Sequence, residues 1–472
     1  MISLFNTGHI KASKTFTFMK QFTDTLNQSF IKSLFIFPLQ TIILRLLLFQ
    51  PSVYIKNENQ IDAKTYSIAI ISKRISDGGV ERVTQLLIDK LSQNNITVYL
   101  ITGQPEENEY KIPENVRRIV LPFVEHDPKR DIWEKTFESI HLQTIQLYKI
   151  ILQLNIQLVV CQEHWAFRNY YTIQFLTGNG VKVIGIEHNF ILFPFCNEYD
   201  VLFKYSKVEY PKLEALLCLS RVDVQLWKKV GVKNAIYMPN PLTFDLEQIQ
   251  LSKLETKNII LVGRFNRRHK QQHLAIIMMK KVLEKEPDAV LQLIGSGFED
   301  YKEECRQLAL ELGIQNSVQF VDFQADIEAY YRNASVMVMT SAIEGFPMVL
   351  VESKSYGVPT VAFELDFCEL WQEGITAVPK GDTDAMAREV VRLLQNQTFR
   401  LEKGMEARKA VEKFRTEDTI NKWVRLITGI IDGNGVVKQM QAEEEKVTEE
   451  RAMEIYQKEL KFWGQEDLRL FD

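Results

Sequence analysis

Two glutamates stand eight positions apart in Ser341-Ala-Ile-Glu344-Gly-Phe-Pro-Met-Val-Leu-Val-Glu352, and the residues between them could hold an anion. Gly345 lets the backbone come close to a ligand. Pro347 suits the first turn of a helix, where a missing N–H costs nothing. The amides that follow, around Met348, Val349 and Leu350, would then lack helical partners and form an anion site. On this reading Glu344 lies in the loop before the anion, and Glu352 about two turns along the helix. A phosphate site flanked by two carboxylates suits a ligand rich in phosphate and hydroxyls, which is the description of a sugar nucleotide.

Other residues with chemical potential fall at the ends of apolar runs. Gly263-Arg264-Phe-Asn-Arg267-Arg268-His269-Lys270 follows the run Asn258–Val262. Arginine forks onto phosphate oxygens and lysine adds a point charge, so a strand end with these cations suits a diphosphate. Asp77-Gly78-Gly79-Val-Glu81-Arg82 heads a helical pattern, and its glycines permit close backbone approach; a plain helix start capped by Asp77 is the simpler reading. His188, in Glu187-His188-Asn189, and the trio Glu163-His164-Trp165 also sit just past apolar runs. Gly295-Ser-Gly297 is too short for a dinucleotide fingerprint. Asp382-Thr-Asp384 looks like a metal-binding pair, but it precedes a helical pattern and reads better as a cap. We assign no metal.

The elements that must position these groups alternate along the chain. Strands are expected at Ser67–Ser72, Val98–Thr102, Leu158–Cys161, Val183–Ile186, Leu216–Leu219 and Ala235–Met238, with helical stretches such as Glu81–Leu91 and Lys135–Leu154 between them. Met238-Pro-Asn-Pro-Leu242 then breaks regular structure twice. A second alternation follows at Asn258–Val262, Ala289–Ile294, Val318–Val321, Val336–Met339 and Thr360–Phe363. This implies an α/β protein with two doubly wound, Rossmann-like domains facing each other across a cleft. The expected division is an N-terminal helical extension (1–65), a first domain (66–242), a linker (243–257), a second domain (258–415), a crossover helix (416–432) and a charged helical tail (433–472). In the tail Met453, Tyr456, Leu460 and Trp463 form an apolar stripe, either packed on the body or presented to a partner.

Composition narrows the classes. The chain has 472 residues, 46% hydrophobic and 25% charged, with a net charge of −4. No global basic field points to nucleic acid. Five scattered cysteines, never in C-x-x-C spacing, argue for a reducing compartment, and a cytoplasmic location is expected. Residues 30–49 are the most apolar stretch, yet Lys32 and Arg45 bracket only 12 uncharged residues. A spanning helix needs roughly 20, and Pro38 interrupts the run. A signal peptide does not fit either, because the segment starts late and lacks a small-residue cleavage site. Two readings remain: peripheral contact with the inner face of the cell membrane, or short helices packed on the first domain.

The Glu-Gly-Phe-Pro-Met-Val-Leu-Val-Glu run resembles the E-x7-E signature of the GT4-type family of retaining glycosyltransferases, which have the GT-B fold. The resemblance extends from about Ile68 to Gly429. It implies that Glu352 accepts hydrogen bonds from ribose hydroxyls, and that Glu344, with the amides of Gly345 and Phe346, contacts the transferred sugar. It also implies that Arg264 and Lys270 stabilise the departing diphosphate and that His188 lies close to the sugar. Gly78 and Gly79 would adjoin the donor phosphates and the acceptor, Gly263 and Gly295 would belong to the donor site, and Glu163–Trp165 would shape the acceptor side. Arg267 and Arg268 leave the basic register open. The expected partners are a nucleoside diphosphate sugar and a glycan or lipid-linked acceptor, with no cofactor. Many members of that family have a small Gly-containing loop where this chain has Glu364-Leu-Asp-Phe-Cys-Glu369, and a Gly is common there where it has Asp322. Both departures are expected near the donor cleft. A non-catalytic glycan- or partner-binding protein, and a sugar-nucleotide hydrolase or epimerase, are the alternatives.

Overall fold

Strands buried on both faces read as continuous apolar runs, and among the described residues thirteen strands form two parallel sheets. The computed structural model describes residues 66–465, except residues 77, 104, 106–108, 122–131, 163–166, 197–199, 325 and 370–372. These described residues belong to one unit, residues 62–472. The expected N-terminal extension, its apolar segment 30–49, Asp77 and the Glu163–Trp165 trio therefore lie outside the described residues.

The first sheet contains β1 (Tyr66–Ile71), β2 (Ile96–Thr102), β3 (Arg117–Val120), β4 (Leu158–Cys161), β5 (Val183–Glu187), β6 (Ala215–Cys218) and β7 (Ala235–Tyr237). Its order is β3-β2-β1-β4-β5-β6-β7. The second contains β8 (Asn258–Val262), β9 (Val290–Ile294), β10 (Val318–Val321), β11 (Val336–Met339), β12 (Thr360–Phe363) and β13 (Ile375–Val378). Its order is β10-β9-β8-β11-β12-β13. Each order reverses once, between β1 and β4 and between β8 and β11. A crevice opens at the carboxyl ends of the strands at such a reversal. The chain leaves β8 toward Arg264 and Lys270, and β11 toward Glu344.

Two strands escape the sequence pattern, and both are edges. β3 is half exposed along its length and β13 buries only Val378 fully, so neither shows a continuous apolar run.

The two domains are joined through apolar packing. Helix Thr416–Asp432 buries Ile420, Trp423, Leu426, Ile427 and Ile430 along one stripe and ends on Gly433 in the left-handed region. That stripe joins the core of the first domain, against helix Gly79–Ser92. Fully burying a side chain of this size contributes about 1.5–3 kcal/mol, so the crossover is a structural part of the first domain. The tail stripe is also packed on the body: helix Glu449–Phe462 buries Ala452, Ile455, Tyr456 and Leu460, against helix Arg221–Lys229.

Candidate functional site

A cavity of about 600 Å³ lies at the carboxyl ends of both sheets. The second domain contributes Gly263, Arg264, Lys270, Gly295, Glu344, Gly345, Phe346, Pro347, Met348, Val349 and Glu352 to its wall. The first contributes Gly78, Gly79 and His188. These residues, all singled out from sequence, share one space.

Helix Met348–Ser355 begins one residue later than its proline suggests. Pro347 is the N-cap, with ψ 100°, and its carbonyl accepts from the amides of Leu350 (2.9 Å) and Val351 (3.3 Å). The Met348 and Val349 amides lie in the first turn, where no intrahelical carbonyl is available to them. Glu352 follows Met348 by four residues, so it stands just over one turn into the helix and not two. Gly345 has a different reason from the one expected. A Cβ there would lie 1.9 Å from the carbonyl oxygen of His188. It is the backbone of the first domain that requires a glycine at this point.

Glu352 is only 9% exposed. Thr243 Oγ1 donates to one of its oxygens at 3.0 Å and Tyr331 Oη to the other at 2.8 Å. Burial raises the carboxyl above its usual range, opposed by the Tyr331 and Thr243 hydroxyls and by the charge of Arg82. Glu344 Oε1 lies 2.5 Å from Lys270 Nζ. The loop that delivers Lys270 is a tight turn: Asn266 Oδ1 accepts from the amides of Arg268 and His269 at 2.9 Å, and its carbonyl accepts from Lys270 N at 3.0 Å. Arg264 and Lys270 line the cavity, whereas Arg267 pairs with Glu304 and covers the Tyr301 ring at 5.1 Å on helix Glu299–Glu311.

Gly295 turns the end of β9 so closely beneath β8 that a Cβ would meet Gly263 O at 2.4 Å. On the first domain, Arg74 Nε bonds Glu81 Oε1 at 2.8 Å and Arg82 covers the Tyr110 ring at 5.3 Å. His188 Nε2 lies 2.8 Å from Oε1 of fully buried Gln162, which fixes the ring's orientation. Gly78, not Asp77, occupies the N-cap position of helix Gly79–Ser92.

Both departures lie beside the cavity, as expected, without lining it: Phe323 follows Asp322 on the wall, and Cys368 Sγ meets the carbonyl of Gly345 at 3.6 Å. Asp322 is absent from the lining, and its carboxylate meets Lys302 at 2.5 Å. Loop 364–369 fastens the domains and the tail. Glu369 binds Arg221 through its guanidinium (2.5 Å) and its amide (2.7 Å), and Phe367 stacks on Phe190 with ring centroids 4.1 Å apart. Glu364 and Asp366 each accept from Lys458 at 2.7 Å. Asp382 is a helix cap, accepting from Ala385 N at 2.8 Å, while Asp384 pairs with Lys281 at 2.6 Å.

Sequence reasoning missed Arg74, Tyr110, Gln162, Asn240, Thr243 and Tyr331. Thr243 follows the Pro-Asn-Pro break, and residues just past a domain break are fair candidates for a cleft. Tyr331 lies on the short helix Glu328–Asn333 and carries no local signal.

The family model described as Glycosyl transferases group 1 matches residues 256–396, the second domain. An uncharacterised glycosyltransferase of Haemophilus influenzae is 26% identical over 74% of this chain and 96% of its own length. A Campylobacter jejuni enzyme named as an undecaprenol-linked glycan alpha-1,4-N-acetyl-D-galactosaminyltransferase is 22% identical over 77% of this chain and 98% of its own. Among solved structures, a mutant of S. aureus TarM in complex with Fondaparinux, alpha-GlcNAc-glycerol and UDP superposes with a TM-score of 0.64 at 12% identity. That match covers 77% of this chain and 100% of TarM. The fold is GT-B, and the family match and the named relatives support a GT-B glycosyltransferase.

Proposed function

We propose that the chain is a retaining, GT4-type hexosyltransferase that moves a sugar from a nucleoside diphosphate sugar to a hydroxyl acceptor, without a metal or other cofactor. The observation that carries the proposal is one cavity holding the Lys270–Glu344 pair, the Glu352 carboxylate and the first turn of helix Met348–Ser355. Glu352 would take the ribose hydroxyls and Glu344 the sugar hydroxyls. Arg264, Lys270 and the Met348 and Val349 amides would hold the diphosphate as its bond to the anomeric carbon breaks. Among the described residues that line the cavity, Glu344 is held by Lys270 and so is a poor nucleophile. This favours attack from the departing side: the acceptor oxygen bonds the anomeric carbon while a phosphate oxygen takes its proton. Closure of the domains would exclude water.

The relatives' names favour an acceptor in cell-surface polysaccharide or glycolipid assembly. A cytoplasmic location, with the membrane approached peripherally through residues 30–49, completes the reading; among the described residues no helix is long and apolar enough to cross a membrane. The test is nucleoside diphosphate release from UDP-, GDP- and ADP-sugars with glycan and lipid-linked acceptors, and product configuration by NMR. One donor should turn over only with acceptor, with retained configuration. Turnover at full rate without acceptor would assign a hydrolase or epimerase, and no turnover or binding of any donor a binding protein.

A further inference from the structure

Glu352 is held from outside its own helix. Tyr331 comes from helix Glu328–Asn333, and Thr243 from the segment joining the two domains. Tyr331 is fully buried, its ring stacked on Tyr356 with centroids 5.5 Å apart and flanked by the edge of Phe244 at 6.5 Å. Tyr356 is in turn pinned by its hydroxyl to Glu328 Oε2 at 2.8 Å. The Tyr331 hydroxyl is thereby delivered to Glu352 by a rigid aromatic stack. Thr243 is equally fixed: its neighbour Leu242 accepts from Thr416 Oγ1 at 3.0 Å, and Leu246 O accepts from Arg408.

A carboxylate has about four lone-pair directions. Two are used by these hydroxyls, which leaves Glu352 able to accept two more donors from the cavity it lines. Both hydroxyls bond the ionised form and oppose the burial that favours the neutral one. The other ionisable groups facing this carboxylate are Arg82 and Tyr110 of the first domain, with Glu328 further along the same wall.

We propose that Tyr331 and Thr243 are positioning residues that keep Glu352 ionised and aimed at a vicinal diol of the ligand. Given the donor reading above, that diol is the ribose of the sugar nucleotide.

The sign of the pH effect is fixed. Diol binding needs the carboxylate and is lost as pH falls through its folded-state pKa. Removing a hydroxyl that stabilises the charge raises that pKa, so the loss begins at a higher pH. The experiment is donor KM and kcat from pH 5 to 9 for wild type, Tyr331→Phe, Thr243→Val and Thr243→Ser, with a melting temperature for each. Tyr331→Phe and Thr243→Val should raise donor KM about tenfold, leave kcat within about twofold, and move the acid limb of 1/KM up by about one pH unit. Thr243→Ser should restore the wild-type limb. A purely structural role would lower the melting temperature and leave the limb in place. Wild-type KM and limb in both hydroxyl-deleted variants would overturn the proposal. Wild-type protein that binds no donor would overturn the donor reading itself, and this proposal with it.

Discussion

β11 and β12 are neighbours in the second sheet, and each releases an acidic loop at its carboxyl end. The loop after β11 carries Glu344 and leads to Glu352; the loop after β12 carries Glu364, Asp366 and Glu369. In the first, the carboxylates line a cavity, and their partners are a cation that also lines it and two hydroxyls that leave lone pairs open. In the second, the carboxylates meet Arg221 of the first domain and Lys458 of the tail. A strand end in an α/β sheet offers a place for chemistry, but the partner decides the use. Where the partners are cations that do not line the cavity, the acid becomes a fastener.

This contrast can be broken at the fastener first. Beside loop 364–369, Lys380 and Glu459 form a buried pair, 7% and 2% exposed, with Nζ–Oε2 at 2.6 Å. Lys380 also covers the Phe462 ring at 4.5 Å and the Phe367 ring at 5.7 Å. Lys380→Met strands Glu459 in the interior and should cost about 3–5 kcal/mol, read as a lowered denaturation midpoint, with donor KM unchanged. Replacing both partners by Met should recover most of the loss.

A smaller effect comes from the back of the glutamate helix. Lys354, two residues past Glu352, donates to Glu373 O at 2.9 Å. Burial, helped by the charge of Lys413 and opposed by Glu373, pushes its pKa down to about 7. An unfolded lysine titrates near 10.4. Between those values the unfolded chain binds a proton that the folded protein has released, so stability rises with pH across the window. Lys354→Met should flatten that rise in pH-dependent melting. The smallest effect belongs to Lys458→Ala, whose partners are partly exposed; about 1 kcal/mol or less is expected, measured by urea denaturation.

Sequence reading recovered what is local. The central strands are continuous apolar runs because helices cover both faces, and β3 and β13 were missed because edges bury less. The run from Glu344 to Glu352 announces itself through Gly345 and Pro347, although the reason for Gly345 is the His188 carbonyl, a contact made across domains. Tyr331 and Thr243 meet Glu352 only because the fold brings distant segments together. Loop 364–369 was legible as bulky and acidic, but its lysine partner lies some 90 positions away, at Lys458, and no local pattern reveals that pairing.

The most direct test sets one glutamate from each loop against the other: donor-dependent nucleoside diphosphate release by Glu352→Gln and by Glu369→Gln, with melting temperatures for both. Losing the charge that two ribose hydroxyls would contact should raise donor KM about 100-fold or more in Glu352→Gln. Glu369→Gln should keep KM within about twofold and lose stability instead. Equal donor turnover in the two variants, or a donor defect confined to Glu369→Gln, would contradict the assignment of the cavity as the donor site.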